Sequence, residues 1–171
     1  MKLGSALPSM LALACAGCFY PPSQSPPPSR RDRVELALPY DLAWQDVHDV
    51  IARNHYHVIV EDPNHGIIET QAHGPFTLKD ADCGKIRGVA GKFSSQPDID
   101  ASAVYNFLVL PHGREASTVS VQAAFTAPLQ VPFHARRSVR CVSRGVQEKR
   151  LLKEIVRHAQ QVHRPVFKPP T

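Results

Sequence analysis

The sequence predicts an α+β domain: an antiparallel sheet of about five strands, in the order β-α-β-β-β-β-α, with two helices on one face. Three observations predict it. Short stretches carry apolar residues at every second position and fall in pairs joined by turn residues, as half-buried hairpin strands do. Two longer stretches repeat their apolar residues at helical spacing, one early in the domain and one at its end. No glycine-rich strand-to-helix turn of the nucleotide-binding kind lies between them, and no internal repeat runs through the chain.

The first strand begins near Arg33, where Val34, Leu36 and Leu38 alternate with Arg33, Glu35 and Ala37 until Pro39 stops the run. Asp41 can cap a helix running to about Asn54, in which Trp44, Val47, Val50 and Ile51 form the apolar face and Asp46, Asp49 and Arg53 stay outside. Tyr56 to Glu61 is a strand centred on Val58, Ile59 and Val60. Asp62-Pro63-Asn64-His65-Gly66 is turn chemistry, with Gly66 free to take a positive φ, and Ile67 to Ala72 returns as the second arm. Over residues 73–100 the pattern fails, broken by Gly74, Pro75, Gly84, Gly88, Gly91 and Pro97. A stretch this long inside a compact domain implies a hidden short strand or a functional loop. Ala103 to Leu110 and Ser117 to Ala127 form a second hairpin about Pro111-His112-Gly113-Arg114, with Val119, Val121, Ala123 and Phe125 on the inner face. A proline-punctuated loop runs from Pro128 to about Arg140. Ser143 can then cap a final helix whose buried stripe is Leu151, Leu152, Ile155, Val156 and Ala159, and Pro165 closes it.

The 171 residues fit one domain with extensions at both ends, and 20% charged residues is a globular composition rather than a disordered one. Of the 16 prolines, eight crowd into Pro21 to Pro28 and Pro165 to Pro170. Residues 1–17 read as a signal peptide: Lys2, then the mainly apolar run Leu3 to Ala14, which is too short to cross a bilayer as a helix. The run ends in Ala16-Gly17 directly before Cys18. This stretch resembles the lipobox of bacterial lipoproteins, with Cys15 standing where the usual leucine is found. The resemblance implies cleavage before Cys18 and a palmitate-type lipid on it. Cys15, preceded by Ala12-Leu13-Ala14, is the rival site, but it would leave Cys18 as a spare thiol in an oxidising compartment. Phe19 follows in place of the aspartate that retains such proteins in the inner membrane, which implies an outer-membrane anchor with the domain facing the periplasm. Residues 18–32 read as the lipid attachment and a Pro/Ser-rich tether, which proline biases toward extended polyproline II. Residues 33–164 form the domain and 165–171 a disordered tail.

The element order, and the opening "LPYDLAWQDVHDVIARNHYHVIVEDPNHGIIET", resemble the helix-grip domains of bacterial envelope lipoproteins, such as the lipoprotein of the barrel-assembly machinery. The resemblance covers most of residues 33–160 and is a likeness of fold, which by itself says little about function.

Once Cys15 is discarded and Cys18 acylated, Cys83 and Cys141 remain as one expected disulfide. No Cys-x-x-Cys lies outside the signal segment, so a redox pair is the weaker reading. Among the nine histidines, His55 and His57 stand two apart and would share a strand face, but no acidic residue at matching spacing completes a metal site around them. They are weak metal candidates beside the simpler reading of surface histidines. Asp80 and Asp82 could do acid–base work, but they read more simply as turn formers. No hydrolase signature such as Gly-x-Ser-x-Gly occurs. Charge placement is more informative. Residues 136–157 carry eight cations against Glu148 and Glu154, whereas residues 41–54 carry three aspartates against Arg53. Arg136, Arg137, Arg140, Arg144, Lys149 and Arg150 are therefore the expected contacts for an anionic partner, the alternative being a solvated face drawn to the acidic helix.

The expected protein is thus a lipid-anchored, non-catalytic envelope domain that needs no cofactor. Its expected partners are the membrane and another envelope protein or anionic envelope polymer, with no nucleic acid. The alternatives are a small-ligand-binding or metal-binding envelope protein, or an enzyme without a recognisable motif.

Overall fold

A computed structural model describes residues 18–20, 32–73, 76–77, 79–87, 101–129 and 137–163. The expected signal peptide, most of the tether, and the tail lie outside the described residues. In chain order the elements are β1 (Cys18–Tyr20), β2 (Arg33–Leu36), α1 (Tyr40–Arg53), β3 (His57–Asp62), β4 (Ile67–His73), β5 (Ala81–Asp82), β6 (Lys85–Arg87), β7 (Ser102–Pro111), β8 (Ser117–Leu129), β9 (Arg137–Ser143) and α2 (Val146–Val162). The class is α+β with an antiparallel sheet and two helices, as the sequence predicts.

The main sheet has seven strands rather than five, in the order β3-β4-β7-β8-β9-β5, with β2 also pairing β8. One edge of β8 pairs with β7 from Ser117 to Thr126. Its other edge is divided: β2 takes Ser117 to Ser120 and β9 takes Phe125 to Leu129. Between them, residues 121–124 face no strand on that side, and the carboxylate Oε1 of Glu148 accepts the Ala123 amide at 3.2 Å. A buried amide left without an acceptor would cost about 1–3 kcal/mol, so the first turn of α2 completes the ladder.

Four strands went unread in the sequence, two of them, β5 and β9, in the main sheet. β9 occupies a stretch assigned to a loop, because Pro128 and Pro132 interrupt the apolar alternation before it. Pro128 is in fact part of β8, opposite Ser138. β5 is the short strand hidden in the long loop, and it pairs with β9. β1 and β6 form a separate two-stranded ribbon, with Cys18 opposite Arg87.

The helix starts also differ. α1 has Pro39 at its N-cap, and Asp41 lies in the first turn, where it complements the helix dipole. α2 starts after Gly145, whose φ of 74° is a left-handed value that favours glycine. Ser143 is the last residue of β9; its hydroxyl accepts the Gly145 amide at 3.0 Å and donates to Glu148 Oε1 at 2.5 Å. In the first hairpin, Gly66 has φ 69°, and a Cβ there would sit 1.9 Å from the Val109 carbonyl oxygen.

Both helices cover one face of the sheet. Phe107, Val109, Val119, Phe125 and Ile68 from the strands meet Val47, Val50, Ile51, Leu151 and Ile155 from the helices, all with 0–3% exposure. The apolar stripes are as expected, with one exception: Asp46, expected outside, is buried at 2% exposure.

Cys83 and Cys141 form a disulfide across 58 residues of sequence, and both are buried. The bond pins the irregular loop to β9. By the chain-entropy argument, closing that loop stabilises the fold by about 4 kcal/mol. Replacing both cysteines with alanine should lower the unfolding free energy by about that amount, read from urea midpoints under non-reducing conditions. An unchanged midpoint would contradict a stabilising bond.

Candidate binding site between the two helices

α1 and α2 lie side by side on the sheet, and the rim of their seam is polar. At one end, Asn54 caps α1 through its own side chain. Its Nδ2 donates to the Val50 carbonyl at 2.8 Å and to Glu154 Oε1 at 3.1 Å. Arg150 of α2 crosses the seam, donating to Tyr56 Oη at 2.8 Å, Asn54 Oδ1 at 3.0 Å and Gln147 Oε1 at 2.8 Å. Tyr56 in turn stacks on Tyr105 with ring centroids 4.8 Å apart, and burial pushes the Tyr105 phenol up from its ordinary range. Arg150 is therefore held in a fixed position rather than waving in solvent.

At the other end, the seam holds an unusual set of charges. His158 of α2 is 3% exposed. Arg53 Nη2 lies 2.6 Å from His158 Nδ1 and, less closely, 3.3 Å from Nε2. A guanidinium only donates, so Nδ1 is the accepting nitrogen and Nε2 carries the proton. That proton points at Asp49 Oδ2, 3.0 Å away, with Asp46 Oδ1 at 3.5 Å. His163, which follows α2, places Nε2 3.1 Å from the same Asp46 oxygen. Asp46 Oδ2 is buried and has no hydrogen-bond partner.

Between these two ends lies a cleft of about 580 Å³, lined by Arg53, Arg150, Lys153, Glu154, Arg157, His158 and Gln161. Four cations face one carboxylate, so the cleft carries a positive field suited to an anionic group. Lys153 and Arg157 are exposed, and neither takes part in a hydrogen bond or ion pair among the described residues.

The structure separates the cations the sequence grouped. Arg136 lies outside the described residues, and of Arg137 only the backbone is described. Arg140 opposes Thr126 and alternates with buried Cys141, which puts it on the sheet face away from the helices. Arg144 is paired with Asp82 at 3.3 Å. Lys149 is exposed beside a second groove, with Val34, Leu152 and Val156. Of the six, only Arg150 lines the cleft. The reason is geometric: a run of cations that crosses from a strand into a helix cannot keep one face. Lys153 and Arg157 were visible as part of the basic helix. Arg53 and His158 were not singled out, because nothing in the sequence tells which residue of α1 meets which residue of α2.

Among the described residues, His55 and His57 belong to no cluster of metal-ligating side chains. His55 is a turn residue with φ 54°, and His57 opens the edge strand β3; both are exposed. They share no strand face, because the strand begins only at the second of them. His65 instead closes the hairpin turn on Asp62 at 2.7 Å, and this bond holds the Asp62 carboxyl below its ordinary range. Asp80 and Asp82 are turn formers. Asp82 Oδ1 accepts the Gly84 amide at 2.9 Å. Asp80 Oδ2 accepts the Thr77 amide and hydroxyl, each at 2.8 Å, and its Oδ1 accepts from Gln147 at 2.8 Å.

No protein-family model matches the chain, and no curated protein proves similar to it. The assignment of function therefore rests on this geometry.

Burial pushes the Asp80 carboxyl up, but the Thr77 amide, Gln147, the Thr77 hydroxyl and Arg150 together outweigh it and leave it below the ordinary carboxylate range. The charged form is thus favoured by folding. Its contribution is present above the unfolded value near pH 4 and is lost as pH falls through the lower folded value. Asp80→Asn should destabilise the protein by about 1–2 kcal/mol at pH 7, with the gap from the parent closing below about pH 4. Urea midpoints measured at both pH values check this; a gap that persists in acid would contradict it.

Proposed function

We propose that the chain is a lipid-anchored, non-catalytic domain of the bacterial cell envelope, which binds an acidic surface of an envelope partner through the cleft between α1 and α2. The cleft carries this reading: four exposed cations around one carboxylate, two of them unpaired among the described residues, on a seam that is otherwise rigidly bonded. The arrangement favours binding over catalysis. Among the described residues, the polar partners of His158 are a guanidinium and two carboxylates, with no hydroxyl or thiol to serve as nucleophile. Two helices on one face of an antiparallel sheet support the resemblance to helix-grip envelope domains. For the anchor, the support is the apolar run and the small residues before Cys18.

Two measurements test the reading separately. Cells fed labelled palmitate should label the protein, and Cys18→Ala should abolish the label and release the protein from membranes; a variant still labelled and membrane-bound excludes this anchor. A photo-crosslinker at Gln161, on the rim of the cleft, should capture an envelope partner in intact cells. Reversing Lys153→Glu and Arg157→Glu together should cut that capture at least about tenfold, as loss of steering and contact charges does. Capture unaffected by the double reversal would overturn the cleft as the binding surface.

A further inference from the structure

We propose that Asp46, Asp49 and His158, with His163 beside them, form a binding site for a divalent ion of the zinc class at the α1–α2 seam. This site goes beyond the anion-binding reading and does not rest on it. Asp46 and Asp49 are three residues apart on α1, so both carboxylates project from one helical face. α2 brings His158 to them, and their ligating oxygens and nitrogen lie within 4.8 Å of one another. Zinc takes carboxylate oxygen and imidazole nitrogen at about 2.0–2.2 Å, which sets ligand atoms of a tetrahedron about 3.3 Å apart. Asp49 to His158 is 3.0 Å, Asp46 to His158 is 3.5 Å, and Asp46 to His163 is 3.1 Å. Asp49–His158 and Asp46–His158 are thus close to the ligand spacing of a tetrahedral ion, and His163 reaches the cluster through Asp46.

A second observation points the same way. Asp46 is 2% exposed, and its Oδ2 has no hydrogen-bond partner. A buried carboxylate oxygen without a partner is costly, and a cation beside it removes the cost. Asp49 has a side chain 61% exposed, so an ion reaches the site from solvent without the helices parting.

Arg53 competes with the ion. Metal on His158 Nε2 displaces the proton from that nitrogen, and a neutral imidazole then carries it on Nδ1. That Nδ1–H would face Arg53 Nη2, another donor, at 2.6 Å. Arg53 must therefore leave His158 when the ion binds, and the open cleft it lines gives it room.

The test uses the full chain purified in detergent, stripped with chelator and titrated with zinc alone. The parent should hold one zinc per chain after dialysis, and cobalt in its place should give a visible spectrum without a thiolate charge-transfer band. Asp49→Ala, at a position 61% exposed, should weaken binding at least about tenfold while the unfolding midpoint in urea shows the variant still folded. Arg53→Gln, whose amide oxygen can accept from Nδ1–H, should tighten it by about the same factor. A parent without stoichiometric zinc, or binding unchanged by Asp49→Ala, overturns the site. Arg53→Gln that fails to tighten binding overturns the competition.

Discussion

Strand β8 has an unbroken ladder with β7 on one edge, from Ser117 to Thr126, and a divided one on the other, and the placement of the helices follows from that division. β2 and β9 stop short of each other, leaving the Ala123 amide to be satisfied by Glu148. Glu148 is in the first turn of α2, so the gap in the ladder fixes where that helix begins. α1 leaves β2 almost at once, through Leu38 and Pro39, with the Leu38 carbonyl held by the Ser117 hydroxyl at 2.9 Å. Both helices are thereby delivered to the same face of the sheet. Each has one apolar stripe, and both stripes are used against the strands and each other. What remains at the rim of the seam is whatever flanks the stripes, and in this chain that is charged.

Much of this architecture was legible in the sequence, and the reasons are local. Val34, Leu36 and Leu38, or Val119 to Phe125, announce strands because period-two burial is imposed residue by residue. The stripe from Leu151 to Ala159 announces a helix for the same reason. The failures fall where pairing, rather than pattern, decides. β9 exists because it lies against β8, and β5 because it lies against β9, with the Cys83–Cys141 bond holding the loop to β9. Two residues of β5 carry no readable period, and Pro128 disguises the end of β8. The site is less legible still. Asp46 sits at a helical position that a one-helix reading assigns to solvent; only the docking of α2 buries it. The paired cysteines were readable by counting: with Cys15 and Cys18 set aside as expected, Cys83 and Cys141 are the two that remain.

Charges at the seam raise the question of why they persist there. An apolar pair in place of Asp46 and His158 would often be as stable or more so, since desolvating both groups offsets much of their attraction. Their bonding is also incomplete, with one Asp46 oxygen unpartnered. Fold stability alone thus gives no reason for these residue types, whereas an occupant that needs a carboxylate and an imidazole does. Arg150 presents the contrasting case. Its bonds to Tyr56, Asn54 and Gln147 account for it structurally, and its role in the cleft is to hold one positive charge in place.

Arg53 belongs to both the buried cluster and the cleft, and that sharing links them. While it donates to His158 Nδ1, its charge is partly committed to the buried cluster, and the cleft presents it from one fixed direction. Once His158 must carry a proton on Nδ1, Arg53 is turned toward the cleft and becomes available to an anion there. An ion among Asp46, Asp49 and His158 and an anion in the cleft would then each favour the arrangement the other needs. Such a linkage is reciprocal: whatever factor one ligand adds to the affinity of the other is returned in full. The coupling runs through a single side chain at the junction of two helices, and requires no movement of the sheet beneath them.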